Sequence, residues 1–190
     1  KKGYRLKTER EIVTKIAEPK VVHQFGIFGD ASISQDLSHD EIIRLLVHYA
    51  FELGYKVHVG ETEQRKDSDF KRMSTKMMRG SDFGIGSSKA FEKIKEIDLL
   101  VMDGAEIPAA FEVTTTVETA KAAINDRFRD LFVILPNTKI RTFVVVKDED
   151  HSKVVDMIYS ASNVKDGTSG KITPVKMSYL TKENFNKWMK

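Results

Sequence analysis

Between Ser38 and Leu53 the apolar residues return at helical spacing, with Ile42, Leu45, Leu46, Tyr49, Ala50 and Leu53 on one face. Ser38-His39-Asp40-Glu41 has the Ser-x-x-Glu form of a capping box that opens such a run, and Gly54 suits its end. Tyr55-Lys56-Val57-His58-Val59 then alternates and predicts a strand. After a polar, glycine-bearing connection over 61–89, with a short helix expected near Phe70–Met78, the pattern turns strongly apolar. Residues 97–103 and 108–114 predict two central strands turning at Gly104. Val117–Asp130 is amphipathic at helical period, and Leu131–Leu135 and Thr142–Val146 read as further apolar strands. Asp150–Ser162 predicts a helix, 164–170 a loop, 171–179 an edge strand, and Thr181 the cap of a last helix to Met189. Upstream, Thr8–Glu18 predicts a short helix stopped by Pro19, and Val21–Asp30 is a strand or a loop.

A hairpin followed by a helical crossover implies a mixed sheet with helices on both faces, an α/β fold. The expected organisation is a lead-in over 1–37, a core over 38–147 and an extension over 148–190 packed on that core, one domain overall.

Composition and charge change the picture in several ways. The 190 residues suffice for one buried core. The absence of cysteine excludes disulfides and thiolate metal sites and fits an intracellular, cytoplasmic setting. No apolar run approaches the ~20 residues of a membrane helix. The start, Lys1-Lys2-Gly3-Tyr4, carries neither an initiator Met nor a signal-peptide pattern, so a longer parent chain is expected. Net charge is only +3, but six basic residues (Arg65, Lys66, Lys71, Arg72, Lys76 and Arg79) face two acids, Asp67 and Asp69, between Gln64 and Gly80. Such a stretch suits a solvated face, or phosphate contact if it lies near a site.

The chemistry concentrates in the hairpin. Asp98 and Glu112 sit among Leu, Val and Phe, where ionised carboxylates are costly without a partner. A turn near Gly104–Glu106 brings the two together. Two acids with a carbonyl and waters form a hard oxygen site suited to Mg²⁺. Each acid alone could equally be satisfied by backbone N–H groups or solvent. His23, His39, His48, His58 and His151 show no zinc spacing, though the His58 strand could carry its ring toward the site. Gly84-Ile85-Gly86 is no dinucleotide loop, and the Met73, Met77 and Met78 group suits packing.

Ile97-Asp98-Leu99-Leu100-Val101 followed by Ile107-Pro108-Ala109-Ala110-Phe111-Glu112-Val113-Thr114-Thr115-Thr116 resembles the catalytic hairpin of the PD-(D/E)XK nuclease superfamily, the restriction-endonuclease-like folds. The similarity continues through Arg127-Phe128-Arg129-Asp130-Leu131 and Leu135-Pro136-Asn137 and covers about residues 38–147. It implies a core of order αβββαβ and Mg²⁺-dependent cleavage of DNA, with Mn²⁺ able to substitute. Asp98 then matches the first metal-binding acid and Glu112 the second, with the Val113 carbonyl as a further ligand. Glu41 matches an auxiliary acid, although the capping box accounts for it without metal. The chain departs from the pattern at Thr114, where the family usually has Lys. A hydroxyl can orient a water but carries no charge, so Lys121, Arg127 or the upstream basic stretch is the expected substitute.

The function implied is a metal-dependent DNA endonuclease. Asp98 and Glu112 hold the metal, Thr114 places the attacking water, Lys121 adds charge, and Arg65, Lys66, Lys71, Arg72, Lys76, Arg79 and Arg127 contact the backbone. For Arg127 and Arg129, a surface ion pair with Asp126 or Asp130 is equally consistent. The alternative is a catalytically inactive nucleic-acid-binding module of the same fold, motivated by Thr114. A homodimer would suit cleavage of both strands.

Overall fold

A computed structural model describes residues 37–75, 92–104, 106–135 and 139–190. All of them fall in one compact unit, Ser32–Lys190. The expectations for Thr8–Glu18, Val21–Asp30, Lys76, Arg79, Met77, Met78 and Gly84-Ile85-Gly86 lie outside the described residues.

The first helix, α1 (His39–Glu52), starts and stops where its sequence dictates. The Ser38 hydroxyl accepts from the Glu41 N–H at 3.3 Å, and Glu41 Oε2 accepts from the Ser38 N–H at 2.8 Å and its hydroxyl at 2.6 Å. At the other end Gly54, at φ +83°, lets its own N–H reach the Phe51 carbonyl and that of Tyr55 reach Ala50. This is the left-handed glycine stop that gives the Ala50 and Phe51 carbonyls partners at the helix end.

The sheet has five strands in the order β1 (Lys56–Val59), β2 (Leu99–Asp103), β3 (Glu106–Thr114), β4 (Arg141–Val146) and β5 (Ile172–Lys176). The β1–β2 and β2–β3 pairs are antiparallel, and the β3–β4 and β4–β5 pairs are parallel. The connection after β1 contains two short helices, α2 (Glu61–Lys66) and α3 (Ser68–Met73). The crossover from β3 to β4 is α4 (Val117–Ala122), a π-helical segment (Ala123–Phe128) and α5 (Arg129–Ile134). That from β4 to β5 carries α6 (His151–Ile158) and α7 (Ala161–Lys165), and α8 (Lys182–Met189) closes the chain.

The strand expected over Leu131–Leu135 is helix. Ile124, Phe128, Leu131 and Leu135 are all buried in one cluster, and their spacing of four, three and four continues the period of α4. Tertiary burial of that stripe outweighs the β preference of the short apolar run. The loop expected over 164–170 likewise begins inside α7.

Alternation along the strands sends side chains to two faces. Leu100, Met102, Ala110, Val144 and Val146 pack with Ile124, Phe128, Leu131 and Leu135 from the crossover and with Val154 and Ile158 of α6. On the other face Phe111 stacks on Phe143 at 4.8 Å and on Phe185 of α8 at 5.6 Å, and Phe185 meets Tyr49 of α1 at 5.9 Å. The mixed α/β sheet with helices on both faces is therefore present. Among the described residues no helix is long and apolar enough to cross a membrane.

Candidate metal centre

β3 is the middle strand, and Glu112 on it has no solvent exposure. Leu99 pairs with Phe111, so extending the register by one residue sets Asp98 opposite Glu112. Asp98 is itself buried, and its Oδ2 accepts from the Val113 N–H at 2.8 Å. Glu112 fares differently. Neither of its oxygens makes a well-formed hydrogen bond, although Oε2 stands 2.5 Å from Arg127 Nη2 as an ion pair. Arg127 Nε is also buried without a partner. Burial pushes the Glu112 carboxyl well above its ordinary pKa, and the negative charge of Asp98 pushes it further, while Arg127 pulls it down without prevailing.

Two more side chains converge here. His39, the first residue of α1, brings Nε2 to 3.3 Å from Asp98 Oδ2 and Nδ1 to 3.0 Å from Asp40 Oδ1. Burial opposes the charged ring, yet its bonds to Asp98 and Asp40 and the charges of Asp98 and Glu63 hold its pKa up at about 9. Glu63 on α2 is buried and pairs with Lys66 Nζ at 2.8 Å. Ligand atoms of His39, Glu63 and Asp98 all lie within 4.8 Å of one another, close enough to share one cation.

Backbone geometry explains the convergence. Val59 pairs with Leu99, so the residues following β1 enter beside Asp98. The Gly60 N–H donates to the Asp98 carbonyl at 3.0 Å, and that of Glu61 to the Lys95 carbonyl at 2.9 Å. A Cβ on Gly60 would meet the Ile97 carbonyl oxygen at 2.9 Å, so only glycine allows this approach. The π-helical segment, one residue per turn wider than α, carries Arg127 to Glu112.

The expected site residues divide. Asp98 and Glu112 are brought together, and Arg127 joins them, paired with Glu112 rather than with Asp126 or Asp130. Asp130 pairs with Lys93 at 2.5 Å, and Arg129 with Asp166. Glu41 is exposed and held at Ser38, which lowers its carboxyl pKa through those hydrogen bonds. The residue that α1 sends to Asp98 is His39. Lys121 is exposed on α4, and the cation against Glu112 is Arg127. Thr114 is buried, and its hydroxyl donates to the Val145 carbonyl at 3.3 Å. Val113 meets the cluster through its N–H.

His58 stands apart, its ring nitrogens each 3.3 Å from a backbone carbonyl, of Thr75 and of Lys95, and burial lowers its pKa. Much of the basic stretch is neutralised locally. Arg65 lies 4.0 Å from Glu61 and 3.4 Å from Glu96, Lys66 holds Glu63, Arg72 lies 2.7 Å from Asp69, and Arg44 takes Asp67. Lys71 is exposed.

Sequence reasoning missed His39 and Glu63 as site residues. Glu63 lies in a wholly polar run with no periodic signal, and His39 was masked by the capping box around it. The strand register was the usable clue, since whatever follows β1 must lie beside the start of β2.

Compared with protein-family models, with curated proteins and with solved structures, the chain matches none of them. The site must therefore be read from its own chemistry. Asp98, Glu63 and Glu112 offer carboxylate oxygens, His39 offers an imidazole nitrogen, and Arg127, about one-third exposed, has guanidinium N–H groups beyond those at Glu112. The side chains whose ligand atoms lie within mutual reach are His39, Glu63 and Asp98; Glu112 lies beside Asp98 with Arg127 as its ion-pair partner.

Proposed function

We propose that the chain is a divalent-metal-dependent DNA endonuclease of the PD-(D/E)XK type, using Mg²⁺ or Mn²⁺. One observation carries the reading: a fully buried Glu112 carboxylate, with no well-formed hydrogen bond, held beside Asp98 on neighbouring strands. An apolar residue would serve a sheet centre better, so a carboxyl group placed there suggests a use. Asp98, Glu112 and the Val113 carbonyl would hold the cation, with Glu63 and His39 completing the ligands around Asp98. A divalent cation bound there supplies an activated water and neutralises charge developing on a phosphodiester.

The chain's own residues do the rest. The Val113 N–H fixes the Asp98 carboxylate, so the ligand is oriented before any ion arrives. Arg127 takes the electrostatic place that Thr114 leaves empty, and as a guanidinium about one-third exposed it has N–H groups beyond the one at Glu112 that could hold a phosphate oxygen. Thr114 has its proton committed to Val145 and offers a water only lone pairs. That commitment favours the second reading, a binding module of the same fold without hydrolysis.

Nicking of supercoiled plasmid in Mg²⁺ or Mn²⁺ tests the proposal. Cleavage should vanish in EDTA and in Asp98→Ala and Glu112→Ala, with circular dichroism unchanged. If the wild type binds DNA yet cuts neither duplex nor branched substrates in any divalent metal, the endonuclease reading fails and the binding module stands.

A further inference from the structure

A second feature lies at the opposite end of the parallel strands. A cleft of about 630 Å³ opens at the starts of β4 and β5, between the end of α5 and the end of α8. Its lining includes five cations, Lys139, Arg141, Lys171, Lys187 and Lys190, and among the described residues no Asp or Glu side chain. All five are exposed. Among the described residues, the acid paired with one of them is Glu183, one helical turn from Lys187 at 2.7 Å, a contact worth a few tenths of a kcal/mol. The dense basic run after Gln64 is different, since among its described residues Arg65, Lys66 and Arg72 are paired with acids. The cleft gathers its charge from residues 139 to 190, so no local run in the sequence reveals it.

The cleft also has rings. Trp188 is half-buried, packed against Phe143 at 5.3 Å, and its carbonyl accepts from Arg141 Nη1 at 2.7 Å, which ties α8 to β4. Phe132, also half-buried, lies under the Lys171 ammonium at 4.9 Å. Like charges crowded in one concavity repel each other and favour an anion among them. Flat rings beside them favour a planar, apolar-faced group. A nucleotide supplies both in one unit, with its phosphate on the lysines and its base on a ring.

We propose that this cleft binds a nucleotide unit, as part of a single nucleic-acid strand or free. Along β4, Arg141 precedes Val144, the partner of Glu112, by three residues, which places the cleft floor about 10 Å from the level of the metal centre. The proposal does not depend on the carboxylates being catalytic. It makes the cleft a second contact for strand recognition, at the end of the sheet away from Asp98.

Trp188 is the chain's one tryptophan, so intrinsic tryptophan fluorescence reports on the cleft alone. An oligothymidylate of about 12 nucleotides titrated into the full chain in EDTA should quench that fluorescence, with an apparent affinity that falls as salt rises. Lys139→Glu combined with Lys171→Glu should weaken binding at least about tenfold with an unchanged circular dichroism spectrum. Asp98→Ala should leave the quench intact, which separates this claim from the nuclease proposal. A parallel titration with a deoxymononucleotide distinguishes a free nucleotide from a strand, and either ligand quenching supports the assignment. Quenching by neither overturns it. So does quenching that survives the double substitution, or polyglutamate binding as tightly as the oligonucleotide, which would show that the rings contribute nothing.

Discussion

Glu112→Gln separates function from stability at a single atom pair. The wild-type carboxylate is sealed from solvent, neither oxygen is properly hydrogen-bonded, and Asp98 adds a second negative charge nearby. Its raised pKa means that the folded state holds the proton more tightly than the unfolded chain does. Above the ordinary carboxylate range the ionised group therefore costs the fold stability, and a neutral amide does not. Against this stands the loss of the Arg127 pair, softened because Arg127 stays about one-third exposed and keeps water. Leaving a buried polar group unsatisfied costs about 1–3 kcal/mol, so the substitution should stabilise the metal-free protein by about 1–2 kcal/mol. At about 2–4 °C per kcal/mol for a chain of this size, Tm in EDTA rises by about 2–8 °C.

In Mn²⁺ the order inverts. An ion at a hundred times its Kd adds about 2.7 kcal/mol to the wild type and little to the variant. Differential scanning calorimetry at pH 7.5 in EDTA and in Mn²⁺ reads both effects. A variant melting well below wild type in EDTA would show that the Arg127 pair outweighs the desolvation and that Glu112 is a structural ion-pair partner. That result would refute the reasoning.

Other expectations follow from the same geometry. Arg127→Gln leaves the buried Glu112 carboxylate without its ion-pair partner and should cost about 3–5 kcal/mol in a urea melt above the raised Glu112 pKa, less below it. His39, raised from 6.5 to about 9, stabilises the metal-free fold fully below pH 6.5 and loses that contribution as pH climbs through about 9, by at most about 3 kcal/mol. Urea melts in EDTA across that range should show the decline, and His39→Gln should flatten it. Gly60→Ala forces a methyl into the Ile97 carbonyl and should destabilise by about 1–3 kcal/mol, with weaker Mn²⁺ binding because the Asp98 backbone shifts. Phe185→Ala removes a fully buried ring shared by α1 and β3 and should cost about 3–5 kcal/mol by chemical denaturation without changing metal affinity per folded molecule.

The legible parts of this chain were those written in local pattern. The capping box and Gly54 bounded α1 almost to the residue, and apolar strands around two isolated acids pointed to Asp98 and Glu112. What escaped was decided by distant partners. Leu131–Leu135 reads as a strand because five residues cannot show a helical period, and its stripe becomes clear only with Ile124 and Phe128 beneath the sheet. Glu63 and His39 carry no signal until the pairing of Val59 with Leu99 sets the end of β1 against Asp98. Arg127 matched both a phosphate contact and a surface pair, and the π-helical turn that sends it to Glu112 has no signature in composition. In the basic stretch, charge density alone did not show that Arg65, Lys66 and Arg72 are paired with acids one turn or one element away.

The most direct test of the metal centre is isothermal titration of Mn²⁺ into the metal-free full chain, run in two buffers of different ionisation enthalpy, with Asp98→Asn alongside. The account predicts saturable binding accompanied by proton release, because His39, whose pKa is held up at about 9, carries a proton that a cation would displace, and loss of that binding in the Asp98→Asn variant. Absence of saturable binding in the wild type, or equal binding in the variant, would contradict it.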